Sequence, residues 1–254
     1  MQPRYGVWAR PRGGLEVSFS SADPSKVVLE ALRLREAGLV EGVHFTVCAS
    51  KGGVWHVRIR IASLIRVAWL SDHGSGRQRE LAAALVEHVL RSAAERGGEV
   101  YERVVEIVEA GVAKGSLRLA GLVSEVRVGG RRCIVKVFGC SAAVGASGLL
   151  HIAVSAEVGG VFSTYVFSFG RWFGNPAIRG FAYADRHAPR GREADAERLV
   201  ALVAALTGKR PKVSRSKRGK IAAMLSREHL YRLVRYAELA EAVETWLTTA
   251  YSSP

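Results

Sequence analysis

Two segments of this chain, residues 24–71 and 192–247, share one order of elements: helix, glycine, strand, glycine turn, strand and helix. At the start of the first segment, Asp23 and Pro24 provide an N-cap and a proline at the first helical position, which together indicate where a helix starts. A glycine follows the first helix of each segment, as is common at helix C-termini. The two segments therefore predict two αββα-like units, and whether they arose by duplication stays open.

Between these units the sequence predicts a helical hairpin followed by strands. Apolar residues recur at helical spacing in 77–96 and 100–113, and Gly97-Gly98 separates the two stretches. Strand-like alternation follows in residues 117–128, 133–138, 149–158 and 161–169. Residues 171–191 are rich in Gly, Pro and Arg and are predicted to form a loop.

These patterns predict an α+β fold, in which two αββα-like units are joined by an αα-hairpin and a β-rich middle. The predicted organisation has three parts. They are an N-terminal α/β unit (1–75), an αα-hairpin (76–115), and a β-rich segment with the C-terminal αββα unit (116–254).

The hairpin of the second unit carries a dense positive charge. Within residues 209–220 there are seven basic side chains and no acidic one. They are Lys209, Arg210, Lys212, Arg215, Lys217, Arg218 and Lys220. Because each of them can replace a counterion condensed on a phosphate backbone, the hairpin is expected to bind nucleic acid. A solvated basic hairpin, in a chain whose net charge is +14, is the alternative.

Duplex DNA is the first expectation for the partner, because a two-stranded ribbon fits the major groove. Arg58, Arg60 and Arg66 in the first unit are expected to form a secondary contact. Aromatic and basic side chains also alternate in the predicted loop, at Arg171, Trp172, Phe173, Arg179, Phe181 and Tyr183. This alternation suits stacking on unpaired bases and equally suits a loop that folds back on the core.

Catalytic and cofactor motifs are scarce. The sequence contains neither GxxxxGK[ST] nor GxGxxG, its seven histidines lack HxxxH or HExxH spacing, and its three cysteines form no CxxC pair. Asp185 and His187, which have several arginines nearby, could bind a divalent ion next to phosphate, and a solvated loop is the alternative. No metal site or cofactor is expected, except Mg²⁺ if the chain is a nuclease.

Composition places the chain in a broad class. The chain has only two Gln and one Asn, and such depletion of amides is typical of heat-adapted proteins. Arg outnumbers Lys 29 to 8, which fits heat adaptation or GC-rich coding. No apolar run approaches the 18 residues of a membrane span, and the N-terminus lacks the apolar core of a signal peptide. A cytoplasmic protein without a membrane partner is therefore expected, and a homodimer stays open.

Several stretches together resemble one family. They are GVHFTV (42–47), SDHGSGRQRELAA (71–83), GSLRLAGL (115–122), RGFAYADRHAPRGREADAERL (179–199), ALTGKRPKV (205–213) and HLYRLVRYAELAEAVETWL (229–247). From about residue 25 onward the chain resembles the crenarchaeal PaRep type-two-b repeat proteins. The resemblance implies a multicopy archaeal family associated with mobile or duplicated genes, and it implies no particular activity.

Residues 192–247 also resemble the second half of a LAGLIDADG homing-endonuclease module, whose sheet hairpins lie in the major groove. The nearest match to the signature, IRGFAYADR (178–186), keeps its Gly, Ala and Asp as Gly180, Ala184 and Asp185. The resemblance makes Asp185 a weak catalytic candidate, because only about six residues separate this stretch from the next helix.

The expected function is therefore nucleic-acid binding by a protein of a mobile or repeat gene family. Two alternatives remain open. One is a metal-dependent LAGLIDADG-type endonuclease, intact or degenerate. The other is a non-catalytic protein-interaction module, whose helices over 77–113 and 226–247 would bury partner surfaces.

Overall fold

The computed structural model describes residues 5–10, 14–50, 52–172 and 175–250. These residues form a mixed α+β protein, as predicted, with seven helices and eleven strands. The elements are β1 (Gly6–Arg10), β2 (Gly14–Ser21), α1 (Pro24–Glu36), β3 (Phe45–Ala49), β4 (Trp55–Ile59), α2 (Ser63–His73), α3 (Gly76–Arg96), α4 (Gly98–Val112), β5 (Val123–Val128), β6 (Arg131–Val144), β7 (Leu150–Val158), β8 (Val161–Trp172), β9 (Asn175–Tyr183), α5 (Gly191–Thr207), β10 (Lys212–Arg215), β11 (Ile221–Ser226), α6 (Arg227–Leu233) and α7 (Ala237–Ala250). Contacts divide the chain into two compact units, one of residues up to 114 together with those from 244 onward, and one of residues 115–243.

The first unit contains a four-stranded antiparallel sheet in the order β1-β2-β4-β3. Asp23 caps α1 as predicted, since its Oδ1 accepts a hydrogen bond from Ser25 N at 2.9 Å. Helix α2 packs against both α3 and α4, and Leu64 and Ile65 of α2 are fully buried there. Lys51, in the predicted turn between β3 and β4, lies outside the described residues.

The second unit contains a seven-stranded antiparallel sheet in the order β10-β11-β9-β8-β7-β6-β5. Helix α5 packs against β5 and β6 near one edge and against β11 near the other, so the sheet curves around this helix. Along β7, Ile152 and Val154 are buried beneath the helix side, whereas Ala153 and Ser155 are only half-buried on the opposite side. The side of the sheet away from α5 is called the outer face below.

Strand β9 lies inside this sheet, where a loop over residues 171–191 was predicted, and that prediction is wrong for 175–183. β9 pairs with β8 on one side and with β11 on the other. Ile178 and Ala182 are buried in the core, while Arg179 and Tyr183 are exposed on the outer face. This two-residue alternation is typical of a strand, and the Gly, Pro and Arg content of the segment concealed it. Phe173 lies outside the described residues.

Gly180 makes room for a core side chain under β9. A Cβ atom at this position would lie 2.5 Å from Cε1 of Phe169, which is fully buried, and 3.1 Å from Cβ of Leu225. We expect Gly180→Ala to lower the free energy of unfolding by about 1–3 kcal/mol, because the fully buried ring of Phe169 must shift to admit the methyl group. Urea denaturation followed by circular dichroism measures this change.

Gly139→Ala in β6 is the matched control for Gly180→Ala. No atom lies within 4 Å of a Cβ built at Gly139, and this glycine belongs to the same sheet. We expect this control to change the stability by no more than about 0.5 kcal/mol. Equal stabilities of the two variants would contradict the packing role assigned to Gly180.

The C-terminal helix is broken, so the prediction of one long helix over 226–247 is wrong. The structure has α6 and α7 instead, separated at residues 234–236. There the carbonyl oxygen of Val234 accepts a hydrogen bond from Gly115 N at 3.1 Å, and that of Arg235 accepts one from Leu117 N at 2.9 Å. These distant backbone partners replace helical hydrogen bonds, and local sequence periodicity does not report them.

The two units share a chain topology. In the first, β2, α1, β3, β4 and α2 follow in order, and β2 pairs antiparallel with β4 while β3 lies at the edge. In the second, β9, α5, β10, β11 and α6 do the same, with β9 beside β11 and β10 at the edge. The repeated order seen in the sequence is therefore also a repeat of strand pairing.

Candidate nucleic-acid interface

The β10–β11 hairpin ends in a tight turn with Lys217 and Arg218 at its tip. Ser216 N donates to the carbonyl oxygen of Lys220 at 2.9 Å, and Gly219 N donates to that of Ser216 at 3.0 Å. Gly219 has φ of 72°, the left-handed region that favours glycine. A three-residue turn that ends in such a glycine is a common hairpin connection, and it confirms the predicted turn.

Three of the seven basic side chains already have partners within the unit. Lys209 forms an ion pair with Glu228, and Arg210 donates to the carbonyl oxygen of Arg127 in β5. These two interactions hold the start of the segment against neighbouring elements. The third side chain, Arg215, is bound to α5.

Arg215 and its neighbours attach the hairpin to the first turn of α5. Nη2 of Arg215 lies 2.9 Å from Oε2 of Glu193, and this hydrogen bond lowers the pKa of Glu193 and raises the pKa of Arg215. Arg192 also donates to the carbonyl oxygen of Gly219 in the turn. The hairpin is therefore positioned by α5, while its tip stays open to solvent.

The remaining cations are exposed. None of the four (Lys212, Lys217, Arg218 and Lys220) forms an ion pair with any described residue, and Lys220 lies near the Tyr183 ring. Both faces of β10 are exposed, because all four of its residues are solvent-accessible and the strand lies at the sheet edge. The free positive charge is thus concentrated at the edge and the tip of one hairpin.

The structure brings the aromatic residues of β9 close to this hairpin. Phe181 and Tyr183 lie on the outer face with ring centroids 5.2 Å apart, and Nζ of Lys220 lies 5.9 Å from the centroid of the Tyr183 ring. Phe181 is opposite Met224 of β11, which is opposite Lys212 of β10. Because side chains directly across strands share a face, Lys212 also lies on the outer face.

Sequence reasoning treated these aromatic residues and the basic hairpin as two separate features. The alternation of Arg179, Phe181 and Tyr183 with Gly180 and Ala182 was the signal that could have shown a strand. The pairing of this strand with the hairpin has no local signal, because it depends on the order of strands in the sheet.

The predicted secondary contact lies in the first unit. Arg58 is exposed in β4, with Nε 3.5 Å from Oε1 of Glu16. Nη2 of Arg60 donates to the carbonyl oxygen of Gly42 at 2.8 Å, and Arg66 donates to a backbone carbonyl and pairs with a glutamate. Each of these guanidinium groups therefore has an internal partner, and Arg58 is the most open to solvent of the three.

The side chain of Asp185 forms a hydrogen bond within the turn that follows β9. Its Oδ1 accepts from His187 N at 2.9 Å, and Nε2 of His187 accepts from Nε of Arg186 at 2.7 Å. Residues 178–186, the best match to the LAGLIDADG signature, form β9 and this turn and no helix. Within the described ranges, no group of three His, Cys, Asp or Glu side chains is placed to hold a metal ion.

Comparisons of this chain with protein-family models, with curated proteins and with solved structures find no match. In the part of the chain that the structure describes, none of the helices has the length and apolar character needed to cross a bilayer. Function is therefore inferred from the hairpin and the outer face themselves.

Proposed function

We propose that this chain is a nucleic-acid-binding protein that contacts the phosphate backbone with the β10–β11 hairpin, with DNA as the expected partner. One observation carries the proposal. Lys212, Lys217 and Arg218 are exposed at the edge and tip of one projecting hairpin and have no ion-pair partner among the described residues.

Such a cluster is suited to a polyanion for an energetic reason. Like charges on one hairpin repel each other, and a phosphate backbone replaces this repulsion with attraction while it releases condensed counterions. Three phosphate contacts predict that affinity for duplex DNA falls about 40-fold when salt is raised from 50 to 200 mM. This salt dependence distinguishes phosphate binding from apolar association.

Protection of the sheet edge is the competing explanation for these charges. Lysines on edge strands prevent sheets from pairing with each other, and Lys212 fits that role. Lys217 and Arg218, however, lie in the turn beyond the paired residues of β10 and β11. Edge protection therefore explains Lys212 but not Lys217 and Arg218, whereas nucleic-acid binding explains all three cations.

A titration of the full chain tests the proposal. The protein is purified with nuclease and high salt, and fluorescence anisotropy is recorded with labelled 20-nucleotide duplex DNA, single-stranded DNA and RNA at 50 and 200 mM salt. Binding at 50 mM that weakens by about 40-fold at 200 mM is expected for the duplex. Polyglutamate is the control competitor, and the absence of binding to all three nucleic acids at 50 mM would refute the proposal.

A further inference from the structure

We infer that this site binds single-stranded nucleic acid. Unpaired bases stack on Phe181 and Tyr183 of the outer face, while Lys212 and Lys220 contact phosphates. This inference rests on the proposed function and adds the kind of nucleic acid. Stacking on aromatic side chains is a general way to hold unpaired bases without reading their sequence.

The two rings project toward solvent from a strand that is anchored in the core. Tyr183 is 61% exposed and Phe181 is half-buried, on a strand whose intervening residue, Ala182, is buried in the core. The ring centroids are 5.2 Å apart and the ring planes are inclined by 55°, so the rings form one tilted aromatic pair on the outer face.

Several of the side chains next to these rings on the outer face are small. Tyr183 is opposite Ala222, which is opposite Ser214, so small side chains continue its row toward the sheet edge. On the other side, Phe181 is opposite Ser168 of β8. Met224 lies opposite Phe181 on the hairpin side. The small side chains therefore leave open the row from Tyr183 to the sheet edge and the β8 side of Phe181, from which a flat base can approach.

Cations surround the same two rings. Nζ of Lys220 lies 5.9 Å from the centroid of the Tyr183 ring, and Arg179 is exposed on the same strand as the rings. Lys212 lies two strands from Phe181, which corresponds to about 9.6 Å across the sheet. Basic side chains next to stacking rings match the alternating phosphates and bases of an unpaired strand.

Other occupants fit this surface less well. In a duplex the bases stack on each other, so their faces cannot reach rings that lie on a sheet. Lysine is depleted at the centre of protein interfaces, whereas here Lys212 and Lys220 lie beside the aromatic pair. The ring pair therefore favours unpaired bases over a duplex and over a protein partner, while a duplex can still contact the cations of the hairpin.

The chain offers a matched control on the same outer face. Phe138 of β6 and Phe162 of β8 form an edge-to-face pair with centroids 5.5 Å apart, and they are 56% and 63% exposed. The neighbouring Lys136 is paired with Glu157 at 2.9 Å, so this pair has no free cation at that position. It presents a similar aromatic area without the adjacent charge.

The test compares two double variants of the full chain, Phe181→Leu with Tyr183→Leu and Phe138→Leu with Phe162→Leu. Leucine keeps the apolar packing and removes the aromatic face, and circular dichroism confirms that each variant is folded. We expect the first variant to lose about 30-fold or more in affinity for a dT12 single strand, with an unchanged salt slope because no charge is lost. Its affinity for a 12-base-pair duplex and both affinities of the second variant are expected to stay within about twofold of wild type.

Failure of this inference and failure of the proposed function give different results. If wild type binds neither probe, the proposed function is wrong. If wild type binds with a clear salt dependence but the Phe181 and Tyr183 variant binds dT12 as wild type does, the hairpin contact stands and the stacking is refuted. Equal losses in the two double variants, or equal losses for single strand and duplex, also overturn the assignment of unpaired bases to this ring pair.

Discussion

Replacing Lys212, Lys217 and Arg218 together by alanine is expected to lower the slope of log affinity against log salt by about 2.7 for duplex DNA and about 2.1 for a single strand. The loss of affinity for the duplex is expected to be on the order of 1,000-fold at 50 mM salt and under about 100-fold at 200 mM. The loss of affinity is smaller at high salt because counterions are then released into a more concentrated solution, so their release contributes less favourable entropy to binding. Anisotropy titrations over five salt concentrations measure both quantities.

The control for this variant removes the same charge from the first unit. Lys26 in α1 and Arg79 and Arg91 in α3 are all exposed, and their replacement by alanine lowers the net charge by the same amount. We expect the salt slope of this control to match wild type, because local charge density on the hairpin sets the contact. Equal losses in the two triple variants would mean that the overall charge of +14 drives binding, and the hairpin would lose its assigned role.

Asp195→Ala is expected to destabilise the protein by about 3–5 kcal/mol, the largest single-residue effect on stability that we predict. Asp195 and Arg198 of α5 are only 5% and 7% exposed, and Oδ1 of Asp195 lies 3.1 Å from Nη2 of Arg198. Oδ2 of Asp195 also accepts from Asp185 N at 2.8 Å. Removing the carboxylate leaves a buried guanidinium without its counterion and the amide of Asp185 without an acceptor.

Two further variants separate the possible causes of this loss in urea denaturation. The double replacement Asp195→Leu with Arg198→Met removes both charges and is expected to recover most of the stability, since an apolar pair avoids the cost of burying an unpaired charge. Asp185→Asn, at an exposed residue, is expected to change the stability by no more than about 0.5 kcal/mol. A cost below about 1 kcal/mol for Asp195→Ala would show that the buried pair does not hold the start of α5.

Much of the element order was predictable because its signals are local. Asp23 and Pro24 mark the start of α1, Gly208 in the left-handed conformation follows α5, and Gly219 closes the basic hairpin. Each of these features acts within a few residues of chain, through a cap or a backbone conformation that one residue type favours. The same holds for the two long helices around Gly97, where apolar spacing predicts the buried stripe.

Strand β9 and the break between α6 and α7 were not predictable in the same way. β9 is stabilised by pairing with β8 and β11, and the Gly180 within it is explained only by the ring of Phe169 beneath it. The helix break depends on hydrogen bonds to Gly115 and Leu117, more than a hundred residues away in the chain. The Gly, Pro and Arg content around β9 indicated a loop. The segment is nevertheless a strand, because pairing with its neighbours overrides this local preference.

For the candidate interface, the sequence alone determined the charge, the hairpin and the turn that exposes Lys217 and Arg218, because a charge count and a glycine turn are local properties. Only the tertiary structure decided which cations are free, since Arg215 pairs with Glu193 on a helix that precedes the hairpin. It also decided that Phe181 and Tyr183 share a face with Lys212, because strand order sets which side chains lie across a sheet from each other.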